Sequence, residues 1–258
     1  MEKTKISCVS YLNSKLFIYG LQNSEIKNEI DLQLDIPSVC AEKLEDNVVD
    51  IGLVPVAVLP EMDEYHFISD YCIGANGNVG SVLLLSDVPL EEIKTVLLDY
   101  QSRTSVLLVQ VLAEKFWKIK PNCVDAEENY ETMIRGNTAG VVIGDRTFAL
   151  KNKFKYAYDL AAEWKKFTQL PFVFACWVSN KELDRSFVKR FNDALRFGLM
   201  NTEAVVADYK KESGVELDVT DYLQNKISFA FDDEKKFSLE LFLKYAGELM
   251  ESDLLKIV

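Results

Sequence analysis

The feature that most constrains this chain is the order in which short apolar runs alternate with helical patterns. Ile6-Ser7-Cys8-Val9-Ser10 reads as a strand, and a helix follows from about Ser14. Leu32-Gln33-Leu34-Asp35-Ile36 alternates like a half-buried strand, and Pro37-Ser38 opens a helix that Ser38 is placed to cap. Asp50-Ile51-Gly52-Leu53-Val54 is a third short run, ended by Pro55. Strands and helices in this order predict a parallel sheet with helices on its faces.

A second unit follows the turn Asn76-Gly77-Asn78-Val79-Gly80 and the run Ser81-Val82-Leu83-Leu84-Leu85-Ser86. Thr95-Val96-Leu97-Leu98 is a strand, and a helix runs from about Thr104 to Trp117. Gly140-Val141-Val142-Ile143 is a buried strand leading into Gly144-Asp145, and Phe172 to Val178 reads as a long returning strand. The last third is helical: Phe187, Phe191, Ala194, Leu195 and Gly198 share one face, as do Phe237, Leu241, Tyr245 and Leu249. Both faces are assigned to core packing. The expected fold is therefore α/β and two-lobed, with a cleft between lobes. Lobe 1 comprises residues 1–88 and 168–258, lobe 2 residues 89–167, and the crossing strands lie near Ser81–Ser86 and Phe172–Val178. Ligands favour such clefts and the carboxyl ends of parallel strands.

Composition narrows the function. With 258 residues, 48% of them hydrophobic and 27% charged, a packed core is expected and disorder is not. No apolar run approaches the roughly 20 residues that span a bilayer. The start, Met1 to Cys8, lacks the apolar stretch of a secretory signal, so the predicted location is cytoplasmic. The five cysteines are scattered without a CxxC pair and there is one histidine, His66, which argues against a structural zinc site. They read as buried, reduced thiols. A net charge of −12 without a basic cluster argues against a nucleic-acid partner. No membrane partner, metal or cofactor is expected either, and the sequence leaves the oligomeric state open.

Four turns that adjoin strands carry small polar residues. The first, Ser10-Tyr11-Leu12-Asn13-Ser14, either caps the following helix or presents it to an anion, with Tyr11 as a wall and the Asn13 amide on the ligand. In the second, Asn78-Val79-Gly80-Ser81, Gly80 either makes a tight turn or lets the backbone approach a ligand. The third, Asp99-Tyr100-Gln101-Ser102-Arg103-Thr104-Ser105, is the strongest anion signal. Ser102, Thr104, Ser105 and the backbone would grip a carboxylate beside Arg103. In the fourth, Asp145 either faces a ligand or pairs with Arg146 or Arg103. A GxSxG elbow, a P-loop and a GxGxxG after a strand are all missing, so nucleophilic and metal catalysis are poorly supported.

Several segments resemble signature segments of the chorismate dehydratase family. They are Val9-Ser10-Tyr11-Leu12-Asn13, Val79-Gly80 through Ser86, and Leu98-Asp99-Tyr100-Gln101-Ser102-Arg103-Thr104-Ser105-Val106. Ile143-Gly144-Asp145, Tyr158 through Trp164 and Leu170 through Trp177 continue the series in the family's order. The first motif departs from the family in running on as Ser14-Lys15-Leu16-Phe17, where a proline is usual. The resemblance implies a type II periplasmic-binding-protein-like fold and the futalosine route to menaquinone. It also implies dehydration of chorismate to 3-[(1-carboxyvinyl)oxy]benzoate, with a small-molecule dicarboxylate as substrate. Asn13 and Asp145 are then the candidate catalytic residues, and Ser10, Tyr11, Gly80, Ser81, Ser102, Arg103, Thr104 and Ser105 the candidate binding residues. Two other readings stay open: a non-catalytic cytosolic binder or sensor of a small carboxylate, and the sister enzyme 1,4-dihydroxy-6-naphthoate synthase.

Overall fold

The computed structural model describes residues 3–213 and 218–254, with side-chain surroundings given for 3–209 and 218–250. The chain divides into two compact units, residues 1–74 with 174–232 and residues 75–173 with 233–258.

The first unit begins β1 (Thr4–Val9), α1 (Lys15–Asn23), β2 (Ile30–Asp35), α2 (Pro37–Glu45), β3 (Ile51–Pro55) and β4 (His66–Ala75). The second carries β5 (Val82–Ser86), β6 (Thr95–Leu98), α3 (Arg103–Val111), β7 (Asn122–Asp125), β8 (Thr138–Ile143), α4 (Arg146–Leu150), β9 (Tyr156–Asp159) and α5 (Leu160–Thr168). A π-helical turn, Leu112–Trp117, extends α3 to the residue expected. The chain re-enters the first unit along β10 (Phe172–Ser179) and continues through α6 (Arg185–Met200), α7 (Thr202–Ser213), a short α8 (Val219–Asp221) and β11 (Ser228–Ala230). It ends in the second unit with α9 (Asp233–Leu254).

Each unit holds one mixed sheet rather than an all-parallel one. The first has the order β11-β4-β10-β3-β1-β2, with β1 parallel to β2 and β3, and β10 antiparallel to β3. The second has the order β7-β6-β8-β5-β9, with β6 parallel to β7 and β8, and β5 antiparallel to β8 and β9. The dividing points consequently differ from 88 and 168. β5 pairs on both edges inside the second sheet, so the chain leaves the first unit along β4, a strand the sequence pattern did not reveal. α9 likewise belongs to the second unit, where Phe242 packs edge-on against Trp164 and Phe172.

Two helices show how the sequence sets the packing. Asp184 caps α6 by accepting from the N–H groups of Ser186 (2.9 Å) and Phe187 (3.1 Å). The expected stripe of Phe187, Phe191, Ala194, Leu195 and Gly198 is buried. Gly198 meets Gly20 of α1 so closely that a Cβ on either would overlap backbone of the other helix. In α9 the buried face is Lys235, Ser238, Leu239, Phe242, Ala246 and Leu249, whereas Phe237 is 59% exposed. The polar Ser238 is drawn inward because Trp164 Nε1 donates to it (2.9 Å) while its hydroxyl donates to the Pro171 carbonyl. Ser38 does not cap α2 either: Pro37 takes the first helical position, which makes Ile36 the N-cap.

Candidate functional site

The second unit gathers three of the four predicted turns at one end of its sheet. β6 and β8 run parallel, so the turn after Leu98 and the turn after Ile143 leave from the same end. β5 starts there as well, because Val82 lies opposite Ile143 in the antiparallel pair. Backbone bonds tie the segments together: Gly144 N–H donates to Ser81 O (2.9 Å). Thr147 Oγ1 donates to Gly80 O (3.1 Å) or Gly144 O (2.8 Å).

Two buried aspartates fix these turns. Asp159, at the end of β9, accepts from the N–H groups of Gly80 (2.6 Å) and Val79 (3.0 Å) through Oδ2. Its Oδ1 caps α5 by accepting from Ala162 N–H (3.1 Å). Burial pushes its carboxyl above the usual carboxylate range, opposed by the N–H donors of Gly80, Ala162, Val79 and Ala161. The Gly80 N–H is thus spent on Asp159 rather than offered to a ligand, and its φ of 75° explains the glycine. Asp99 does the same for the third turn. It accepts from Gln101 N–H (2.9 Å) through Oδ1, and from Ile143 N–H (3.2 Å), Arg146 Nη2 (2.5 Å) and the Tyr130 hydroxyl (2.9 Å) through Oδ2. Burial again raises its carboxyl, against the guanidinium and these donors, and both oxygens act as acceptors. Burial and the neighbouring Asp99 also raise the Tyr130 phenol.

Ser102 is the N-cap of α3: its Oγ accepts from Ser105 N–H (3.2 Å) and lies 3.0 Å from Ser105 Oγ. Thr104 and Ser105 are buried, and Arg103 is half-buried at the first position of the helix. The structure therefore gives Ser102 the cap role. The helix start beyond it carries the dipole and main-chain N–H groups that favour an anion. Arg146 forms ion pairs with Asp99 and Glu131. Asp145 is half-buried and precedes the short α4.

The first turn lies in the other unit, at the carboxyl end of β1. Ser10 is exposed and its N–H donates to Asp35 O (3.0 Å). Tyr11 and Asn13 are half-buried. Neither Tyr11 nor Ser14 caps its helix through a side chain. Instead Ser14 Oγ donates to Asn13 Oδ1 (3.0 Å), which leaves the NH2 as the donor end of the Asn13 amide. Leu16, where a proline is usual in the family, is buried in the first turn of α1.

Sequence reasoning missed Asp99, Asp159, Tyr130, Arg146 and Thr147 as organisers of the site. An aspartate just before a helix, as in Asp159-Leu160, is a cap signal that was available. His66 pairs with Glu64 (2.9 Å) at the start of β4, and Cys8, Cys40, Cys72 and Cys176 are buried while Cys123 is exposed. Among the described residues, no group of three or more histidine, cysteine or acidic side chains is placed to hold a metal, and no helix is long and apolar enough to cross a membrane.

The family described as menaquinone biosynthesis matches residues 4–248. The chain belongs to that family. Among curated relatives, a chorismate dehydratase of Thermus thermophilus is 26% identical over 221 residues, covering 77% of this chain and 80% of that protein. Among solved structures, a protein of Archaeoglobus fulgidus superposes with a TM-score of 0.74 at 12% identity, covering 98% of both chains. The periplasmic aliphatic sulphonate binding protein SsuA of Escherichia coli gives 0.62 at 12% identity, covering 98% of this chain and 94% of its own. The fold of this menaquinone-biosynthesis family member is thus periplasmic-binding-protein-like.

Proposed function

We propose that the chain is a cytoplasmic chorismate dehydratase of the futalosine pathway, a lyase that converts chorismate to 3-[(1-carboxyvinyl)oxy]benzoate and water. The observation that carries this reading is the similarity to the Thermus thermophilus chorismate dehydratase over 77% of the chain. The chemistry fits a site that positions and polarises. Chorismate loses a proton from the ring carbon bearing the enol ether and hydroxide from the neighbouring carbon. The electron pair of the broken C–H bond becomes a ring double bond, and the ring becomes aromatic. Negative charge that develops as the C–H bond breaks spreads through the ring double bond onto the ring carboxylate. An enzyme then has to hold two carboxylates and fix one conformation.

In this reading the start of α3, with Ser102, Arg103, Thr104 and Ser105, holds one carboxylate, and Gly80-Ser81 borders the other. Ser10 and Tyr11 line the ligand, and the Asn13 NH2 donates to the reacting region. An amide is no base near neutral pH, so Asn13 orients. The substrate's own enolpyruvyl carboxylate takes the proton, and Asp145 is the alternative acceptor.

A binding reading is favoured by one observation, the likeness of the fold to the sulphonate-binding protein. Turnover and melting temperature with chorismate, an aliphatic sulphonate and the sister synthase's substrate separate the three readings. The dehydratase reading expects chorismate to be consumed. Stabilisation by chorismate without consumption would replace it with a binder, and consumption of the sister's substrate alone would replace it with the synthase.

A further inference from the structure

Arg146 stands out once the three turns of the second unit are traced. Its Nη2 meets Asp99 Oδ2 at 2.5 Å and its Nη1 meets Glu131 Oε1 at 2.7 Å. The Asp99 side chain is 0% exposed, that of Glu131 16% and that of Arg146 30%. The guanidinium also lies 5.8 Å from the centre of the Tyr100 ring, which belongs to the third turn. Asp99 in turn holds the N–H groups of Gln101 and Ile143, one on each side of the gap between the third and fourth turns. A planar fork that satisfies two carboxylates at once is a task for arginine and not for lysine. The remaining side-chain donor to Asp99 is weaker, because the Tyr130 hydroxyl has one proton and faces both Asp99 and the Val141 carbonyl.

We propose that Arg146 is a positioning residue. By clamping Asp99 and Glu131, it locks the Gln101–Ser105 turn to the end of β8 and so fixes where the start of α3 meets its ligand. Its charge is spent inside the protein, and it acts on the ligand through Asp99. Without it, a fully buried carboxylate loses the guanidinium that pairs with it, a strongly destabilising change that the Asp99 turn relieves by opening toward water. The inference rests on the reading that this turn cluster holds a carboxylate of chorismate.

The test compares wild type with Arg146→Gln and Glu131→Gln by chorismate kinetics and by amide exchange of residues 99–106 and 143–147. For Arg146→Gln the expected result is a fall in kcat/KM of about 10- to 100-fold, carried by KM, with kcat within about threefold of wild type. Amide exchange accelerates in both turns, and guanidinium ion, added at about millimolar concentration, lowers KM again because the vacated site is partly open to solvent. Unchanged KM and exchange would overturn the proposal. So would a lower melting temperature with KM and exchange preserved, which marks a merely structural pair. If Arg146→Gln does not fold, Glu131→Gln decides by the same readouts, with a smaller rise in KM and faster exchange expected. If wild type neither binds nor consumes chorismate, the functional reading fails by itself. Exchange then decides the positioning role, with acceleration in both turns upholding it and no change refuting it.

Discussion

Replacing Gly198 by alanine separates two physical effects of opposite sign. In a helix interior, alanine is favoured over glycine by about 1 kcal/mol, so propensity alone makes the variant more stable. The structure argues the reverse. A Cβ at Gly198 would fall inside the van der Waals envelope of the Leu16 carbonyl oxygen and close to Gly20 N, and a Cβ at Gly20 would overlap Ala194 O. These obstacles are backbone atoms of a packed helix, so no flexible side chain can yield, and α1 and α6 must move apart. Overpacking of that kind costs about 1–3 kcal/mol, and rigid backbone on both sides places this case at or above the upper end. The net expectation is destabilisation by about 2 kcal/mol after the propensity gain, or about 4–8 °C in melting temperature for a chain of this size. Gly247→Ala is the internal control. Among the described residues, no atom beyond its chain neighbours and its own helix backbone lies within 4 Å of its added Cβ, so propensity acts alone and the melting temperature rises by about 2–4 °C. Scanning calorimetry on both variants reads the two signs. Gly198→Ala at or above wild-type stability would refute the close crossing of α1 and α6. The crossing also bears on function, because Leu16 lies three residues after Asn13, and Gly198→Ala is expected to lower turnover as α1 shifts.

Other substitutions test the site. Asn13→Ala should reduce kcat about 100-fold or more while chorismate still raises the melting temperature, since the amide orients and does not anchor; equal losses of kcat and binding would make it an anchor. Asp145→Asn should retain most of the turnover if the substrate carboxylate is the base, and near-total loss with unchanged binding would transfer that role to Asp145. Asp159→Asn keeps an acceptor for the Val79 and Gly80 N–H groups but turns an NH2 toward Ala162 N–H, a loss of about 1–2 kcal/mol by urea unfolding. Because burial raises the Asp159 carboxyl in the folded state, its titration stabilises the fold fully below the ordinary aspartate value of 3.8 and that contribution is lost as pH rises through the folded value. The gap between wild type and Asp159→Asn is therefore wider in acid than at neutral pH, and a gap that widens with rising pH would refute the assignment.

The sequence was most legible where local periodicity and burial agree. The α6 stripe repeats at helical spacing with large apolar residues, and its face is buried as expected. The strand-to-turn transitions at Val9, Leu98 and Ile143 were legible too, since each apolar run stops at small polar residues. β4 was not, because Asp70 and Tyr71 interrupt its pattern and its pairing depends on β10 and β11, far along the chain. The α9 face was misplaced for a related reason. Ser238 is pulled inward by Trp164 and Pro171, and no helical pattern in α9 announces partners that distant. The site showed the same division. The turns were visible locally, while the groups that hold them were not: besides Gln101, Asp99 takes its donors from residues 31, 44 and 47 positions away, and Asp159 takes Gly80 from 79. A carboxylate whose partners lie so far off reads, in one dimension, as an ordinary polar residue.

Dehydratase activity is read by incubating the purified chain with chorismate alone, without metal or added cofactor, and following mass and ultraviolet absorbance. Chorismate should disappear and a product lighter by one water should appear, with the absorbance of a substituted benzoate. Chorismate recovered intact from a folded preparation, under conditions where the Thermus thermophilus enzyme consumes it, would rule out dehydratase activity.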